Sequence, residues 1–214
     1  MVCAVIIGNN VQKDNLYNTA FKNVAEARYF MKSANTQTMS VQFIMGKRED
    51  PYTQNGVAEA STNFALVNID GDHSLKDFSQ IEGTIKIGND LHPITLLQNP
   101  YNALNFSYDI IKSINREVTP DESVEVTLFI DTNNHPSFIL GNTMEANAIS
   151  WDRALRVAVD KVGDKIKNQK FESYITIIDN MAQDSGAFWY VQFITQDGKT
   201  HYVVVSPDGA VISR

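Results

Sequence analysis

Trp189 to Arg214 reads WYVQFITQDGKTHYVVVSPDGAVISR, a terminal hairpin that carries apolar residues on both faces. Asp197-Gly198 is a two-residue turn signal that calls for positive φ, and it sets a tight turn between Gln196 and Lys199. Counting outward, Phe193 falls opposite Tyr202 and Val191 opposite Val204 on one face. Ile194 falls opposite His201, Gln192 opposite Val203 and Tyr190 opposite Val205 on the other. Neither face suits bulk water. One packs on the chain's own helix, and the second needs separate cover, from residues 1–148, from a second copy of the chain or from a partner such as a peptidase. The residues of that second face, Tyr190, Ile194, His201, Val203 and Val205, are therefore the candidate binding residues.

The partner for the first face lies just upstream. Ser150 is a helix N-cap, and Trp151, Leu155, Ala158, Val162 and Ile166 follow as one apolar stripe, with Asp152, Arg153, Arg156, Asp160 and Asp164 outside it. Three strands follow in "SYITIID", "AFWYVQFIT" and "THYVVVS", and a final Pro-Asp-Gly turn lets Ala210 to Ser213 complete a meander.

Towards the N-terminus, Asp14 is a helix N-cap for Tyr17, Ala20, Phe21, Val24, Ala27 and Met31, whose spacing predicts a helix of about five turns. From Thr38 the period changes to two, with Val41, Phe43 and Met45 on one face, until the loop "GKREDPYTQNG". Further strands are read in "ASTNFALVNID", in a hairpin tipped by Gly88-Asn89-Asp90, in "LNFSYDI", from Val124 to Ile130, and in "DTNNHPSFILGN". Pro93 cannot donate to a ladder, which places its strand at an edge. Strands following one another without intervening helices exclude an all-parallel sheet. The expected class is α+β: a helix and antiparallel sheet over 1–148, then a helix-plus-meander module over 149–214.

That last segment, "ISWDRALRVAVDKVGDKI" through "WYVQFITQDGKTHYVVVSPDGAVIS", resembles the PepSY domain. The resemblance rests on the helix alanines Ala154 and Ala158, on "WYVQF" (189–193), on the Asp-Gly turn and on "YVVVSPDGAV" (202–211). Trp151 and Asp152 stand where that family usually has threonine or glutamate. The resemblance implies a non-catalytic α+β module, of the kind found in propeptides of thermolysin-like metalloproteases and in bacterial membrane or surface proteins, with a proposed role in inhibiting or regulating peptidases. It carries no catalytic residues over to this chain.

Composition narrows the function classes. A net charge of −7, from 25 acidic and 18 basic residues, speaks against nucleic acid, which calls for clustered Lys and Arg. The single cysteine, Cys3, excludes an intrachain disulfide and a cysteine-rich zinc site. The near-absence of thiols is common in exported bacterial proteins. The apolar run Val2 to Ile7 is too short to span a bilayer and lacks the basic flank and cleavage site of a leader, so it reads as a first strand or as the remnant of an anchor. The expected location is extracytoplasmic or cell-surface, without membrane insertion by the chain itself.

Motifs of catalysis are absent from the sequence. His73, His92, His135 and His201 are scattered, and no glycine-rich nucleotide loop or nucleophile elbow occurs. "NIDGDHSLKD" alternates Asn68, Asp70, Asp72 and Ser74 like a calcium loop, but His73 stands where the glycine belongs and Ser79 where the bidentate glutamate belongs. Cys3 has no adjacent histidine, Glu49-Asp50 and Asp121-Glu122 read as solubilising loop acids, and the Asn105 sequon falls in a strand. No metal or cofactor is expected. The reading is a non-catalytic bacterial binding or regulatory protein whose partner is a peptidase or a second copy of the chain. Two alternatives stand beside it: a small-molecule or lipid carrier with a cavity lined by Phe43, Phe64, Phe106 and Phe129, and an enzyme with a site at the junction of the two parts.

Overall fold

The computed structural model describes residues 13–49, 61–71, 82–95, 107–130, 135–144, 146–179 and 187–212. The expected strand at Val2 to Ile7, Cys3, His73, Asn105 and Phe106 lie outside them. Among the described residues the structure is mostly β, with 56% strand, 17% helix and two helices, which overturns the α+β expectation. Helix α1 covers residues 13–22. Then come β1 (Val24–Asn35), β2 (Met39–Arg48), β3 (Thr62–Gly71), β4 (Glu82–Ile87), β5 (Asp90–Thr95), β6 (Ser107–Ser113), β7 (Val124–Phe129) and β8 (Ser137–Asn142). Helix α2 (Trp151–Ile166) leads into β9 (Phe171–Asp179), β10 (Ala187–Thr195), β11 (Thr200–Val205) and β12 (Val211–Ile212). Pairing joins these strands in the order β12-β11-β10-β9-β1-β8-β7-β4-β5, with β2, β3 and β6 branching from β1. All pairs with resolved register are antiparallel except β1 with β9. The sheet is therefore mixed.

The chain forms two compact units: one of residues 1–29, 47–61 and 144–214, the other of residues 30–46 and 62–143.

In the first unit, the long N-terminal helix expected through Met31 stops at Lys22, and β1 begins at Val24. Val24 and Ala27 are both buried three residues apart, which imitated a helical stripe. The spacing comes from a β-bulge. Val24 lies beside Ser173 and Ala27 beside Ile175 with a register shift between them, so one extra residue is absorbed while both apolar side chains stay on the inner face. Asp14, expected as the cap, sits within α1 and pairs instead with Arg156 at 2.8 Å.

The inner face of this unit's sheet is covered by α2. Ala154, Leu155, Ala158, Val159, Val162 and Ile166 are buried on the helix, and Phe171, Ile175, Ile177, Trp189, Val191, Phe193, Val203 and Val205 are buried on the strands. Small alanines at two helix positions let the helix come close to the sheet, so large strand side chains fill the space between layers. Trp151 does not belong to the buried stripe as expected: it is half-buried and stacks on Phe21, ring centroids 5.4 Å apart. Ser150 occupies the N-cap position with extended backbone, but its side chain makes no capping bond.

In the second unit, β5-β4-β7-β8 buries Ile85, Ile87, Ile94, Val124, Val126, Leu128, Phe138 and Leu140 at alternate positions. β3 and β6 pair from Phe64↔Ser113 to Asp70↔Ser107. Among the described residues β5 ends the strand order, and Pro93 stands opposite Thr84 on that edge strand.

Candidate binding surface

The turn at the end of β10 decides which residues face outward. Thr195 N–H donates to the Lys199 carbonyl at 2.9 Å and Gly198 N–H to the Thr195 carbonyl at 2.8 Å. Three residues, Gln196, Asp197 and Gly198, therefore form the loop, with Gly198 at φ +78°. A three-residue loop closed by a left-handed glycine is a turn followed by a bulge, not the two-residue turn expected from Asp-Gly. The buried Thr195 hydroxyl, 2.5 Å from Asp197 Oδ1, and the Lys199 ammonium, 2.7 Å from Asp197 Oδ2, fasten it.

One extra loop residue moves every pair by one. The observed partners are Trp189↔Val205, Tyr190↔Val204, Val191↔Val203, Gln192↔Tyr202, Phe193↔His201 and Ile194↔Thr200. In a pleated ribbon this exchanges the faces of one whole strand. The five candidate residues are consequently split: Val203 and Val205 are buried beneath α2 and half-buried His201 stands opposite Phe193 on that same face, while Tyr190 and Ile194 lie half-buried on the outward face. Tyr202 and Val204, expected against the helix, are on the outward face instead. The signal that would have found this is Thr195, whose hydroxyl reaches Asp197 and so belongs to the turn's closing pair.

The outward face gathers Tyr190, Ile194, Tyr202 and Val204, and the β9–β10 and β11–β12 ladders add Ile178, Phe188 and Ile212. Tyr202 is 59% exposed, Ile212 38% and Ile178 36%. Tyr190 and Tyr202 are diagonal neighbours across β10 and β11, and their rings stack with centroids 5.4 Å apart and an interplanar angle of 28°. The pair forms a flat aromatic platform that is already ordered, so a partner using it immobilises little further side-chain freedom.

The β1 margin of the face is polar. Tyr174 lies next to Gln192 on β10 and Glu26 on β1. Its hydroxyl donates to Glu172 Oε2 at 2.8 Å. Partial burial, that hydrogen bond and the charges of Glu172, Glu26 and Glu49 push the phenol up to about 12. Glu26 Oε1 in turn accepts from Arg28 Nε at 2.6 Å.

Other polar clusters are internally paired. In the first unit, Lys47 Nζ sits 4.5 Å over the Trp151 ring and 5.3 Å over Phe21, and Arg156 lies 4.0 Å over Tyr17, tying α1 to α2. In the second, Arg116 grips both oxygens of Glu122 at 2.9 and 2.8 Å and donates to Asp90 at 2.9 Å. That clamp ties the Asp90 turn to the loop before β7 and holds the Glu122 carboxyl below its ordinary range, chiefly through the guanidinium.

Residues weighed for other functions also find places. Asn68 donates to Asp109 at 2.6 Å across β3 and β6, so this part of the calcium-like run is strand. Of the aromatics expected to line a cavity, Phe43 and Phe64 are buried, while Phe129 is 39% exposed and meets His135 edge-on at 5.1 Å. Phe129 thus points away from the buried row Val124, Val126 and Leu128. Among the described residues no group of three or more His, Cys, Asp or Glu side chains is arranged to hold a metal ion, and no helix is long and apolar enough to cross a membrane.

Comparison with protein-family models, with curated proteins and with solved structures finds no match to this chain.

Proposed function

We propose that this chain is a non-catalytic bacterial binding protein that works outside the cytoplasm and docks a protein partner on the outward face of β9–β12. The observation that carries the reading is the stacked Tyr190–Tyr202 pair, with Tyr202 59% exposed on the outward face of β11. Contiguous apolar surface of this kind is typical of interaction sites, and ordered tyrosines are favoured anchors in them. The PepSY-like sequence of residues 149–214 favours a peptidase as the partner, with regulation by occlusion rather than chemistry.

Hydrogen exchange tests it directly. With a thermolysin-like metalloprotease added in excess, slowed exchange across residues 187–205, together with slowed peptide hydrolysis that Tyr202→Ser abolishes, is the expected result. Unchanged exchange there, with protease activity unaffected, would remove the peptidase from consideration.

A further inference from the structure

The same face constrains what kind of element sits on it, an inference that rests on the docking reading above. An apolar sheet face is buried by a helix layer or by a second sheet, and this unit shows the helix fit on its other side, where the 16-residue α2 lies across β9, β10 and β11. Three adjacent strands place about 10 Å between the outer two axes, close to the roughly 10–12 Å diameter of a helix with side chains. A nine-residue strand such as β10 is about 30 Å long, enough for a helix of some 16 to 20 residues.

Charge then discriminates among helices. Glu172 stands opposite Ile194 on the outward face, and Tyr174 beside it lies within electrostatic reach of Glu26 and Glu49. Carboxylates of Glu172, Glu26 and Glu49 border the apolar strip, with Arg28 paired to Glu26. A helix bringing acids to this margin meets repulsion, whereas Lys or Arg there gains attraction and faster encounter. A second copy of the chain supplies no such element from α2, whose apolar stripe is already buried and whose outer residues Arg153, Arg156, Asp160 and Lys161 are exposed charges of both signs.

We infer that the outward face of β9–β11 takes a cationic amphipathic helix from a protein partner, its apolar stripe on Tyr190, Ile194, Tyr202 and Val204 and its Lys or Arg flank over Glu26, Glu49 and Glu172. The stacked tyrosines supply the buried anchor and the carboxylates supply orientation and selectivity.

The test uses two fluorescein-labelled helical peptides of about 18 residues with identical Leu/Phe stripes, one flanked by Lys and one by Glu, titrated with the full chain and followed by anisotropy. At about 25 mM salt the Lys peptide binds at least about ten-fold more tightly, and the ratio shrinks towards unity at about 300 mM. The double variant Glu49→Lys/Glu172→Lys reverses the preference, and Tyr190→Ser/Tyr202→Ser abolishes binding of both. Equal, salt-insensitive binding that the tyrosine variant removes would overturn the charge selectivity and leave the docking face standing. Binding of neither peptide, or binding unaffected by the tyrosine variant, would overturn both. A dimer in sedimentation that the tyrosine variant converts to monomer would assign the face to a second copy and overturn the inference.

Discussion

The indole N–H of Trp189 donates to the carbonyl of Ile149 at 3.1 Å, joining the centre of the first unit's sheet to the residue before the N-cap of α2. Ile149 N–H in turn donates to the Pro207 carbonyl at 2.8 Å, so helix start, β10 and the closing turn are held at one point. Trp189 is 1% exposed. Trp189→Phe keeps most of the apolar volume but leaves the Ile149 carbonyl without this donor, and it lowers stability by about 1–3 kcal/mol. Trp189→Ala also opens a cavity and costs about 3–5 kcal/mol. Urea midpoints at unchanged slope measure both, and a Phe variant as stable as the parent would deny the bond any structural role.

In the second unit, Gly83 is dictated by contact rather than by backbone angle. A Cβ built there lies 2.3 Å from the Thr127 carbonyl oxygen of β7, an atom fixed by the ladder. Gly83→Ala therefore forces β4 and β7 apart and destabilises the unit by about 3 kcal/mol or more. Backbone amide exchange of Thr84, Ile85 and Val126 reports it locally; unaltered protection at those amides would show that the ladder yields without loss.

Lys32 is 4% exposed and donates to the Pro120 carbonyl at 2.5 Å and to Asn142 Oδ1 at 2.6 Å. Burial lowers its pKa below the ordinary lysine value, against the raising effect of Asp121 and Glu122. The folded state therefore binds this proton less well than the unfolded state. Stability rises with pH between the lowered folded value and the unfolded value near 10.4, and the penalty is fully present below that window. Lys32→Met abolishes this alkaline rise but strands the Pro120 carbonyl and Asn142, at a cost of about 1–3 kcal/mol. Guanidinium unfolding at pH values from neutral to alkaline separates the two effects; a parent protein with a flat profile would contradict the assignment.

The turn carboxylate of Asp197 has the opposite sign. Lys199 and Thr195 hold it at about 2, below the usual range near 3.9. The stabilisation is fully present above the unfolded pKa and is lost as pH falls through about 2. Asp197→Asn removes that acid dependence from the hairpin. A carboxyl carbon titration by NMR reads the value directly, and a midpoint near 4 would mean that the Lys199 and Thr195 contacts do not persist in solution.

Strand identity from β2 onward was legible in the sequence because alternation of buried and exposed residues is local: Val124, Val126 and Leu128 advertise their face without help. The stripe of α2 was legible for the same reason, apart from Trp151, whose exchange of the core for Phe21 depends on α1 folding against it. What failed were features fixed by one inserted residue. The bulge between Val24 and Ala27 converted strand spacing into apparent helical spacing, and the third loop residue at Gln196 moved Tyr202 and Val204 to the outward face. The dominance of strand overall arises from long-range pairing, such as β1 with β9, which no local period records.

Adjacent residues on β11 provide the most direct check of the observed register. Val203 is 4% exposed beneath α2, opposite Val191, whereas Tyr202 is 59% exposed opposite Gln192. A lysine at 203 has its charge buried beneath α2 beside Val191, so Val203→Lys costs about 3 kcal/mol or more or prevents folding. Tyr202→Lys places its charge in water and changes stability by about 0.5 kcal/mol or less, apart from the loss of the Tyr190 stack, worth about 0.5–1.5 kcal/mol. The two-residue-turn register requires the reverse ranking, with Tyr202 against the helix and Val203 outward. Thermal unfolding of the two variants side by side decides between them: a Tyr202→Lys protein that melts far below Val203→Lys would restore the alternative pairing and dissolve the aromatic platform.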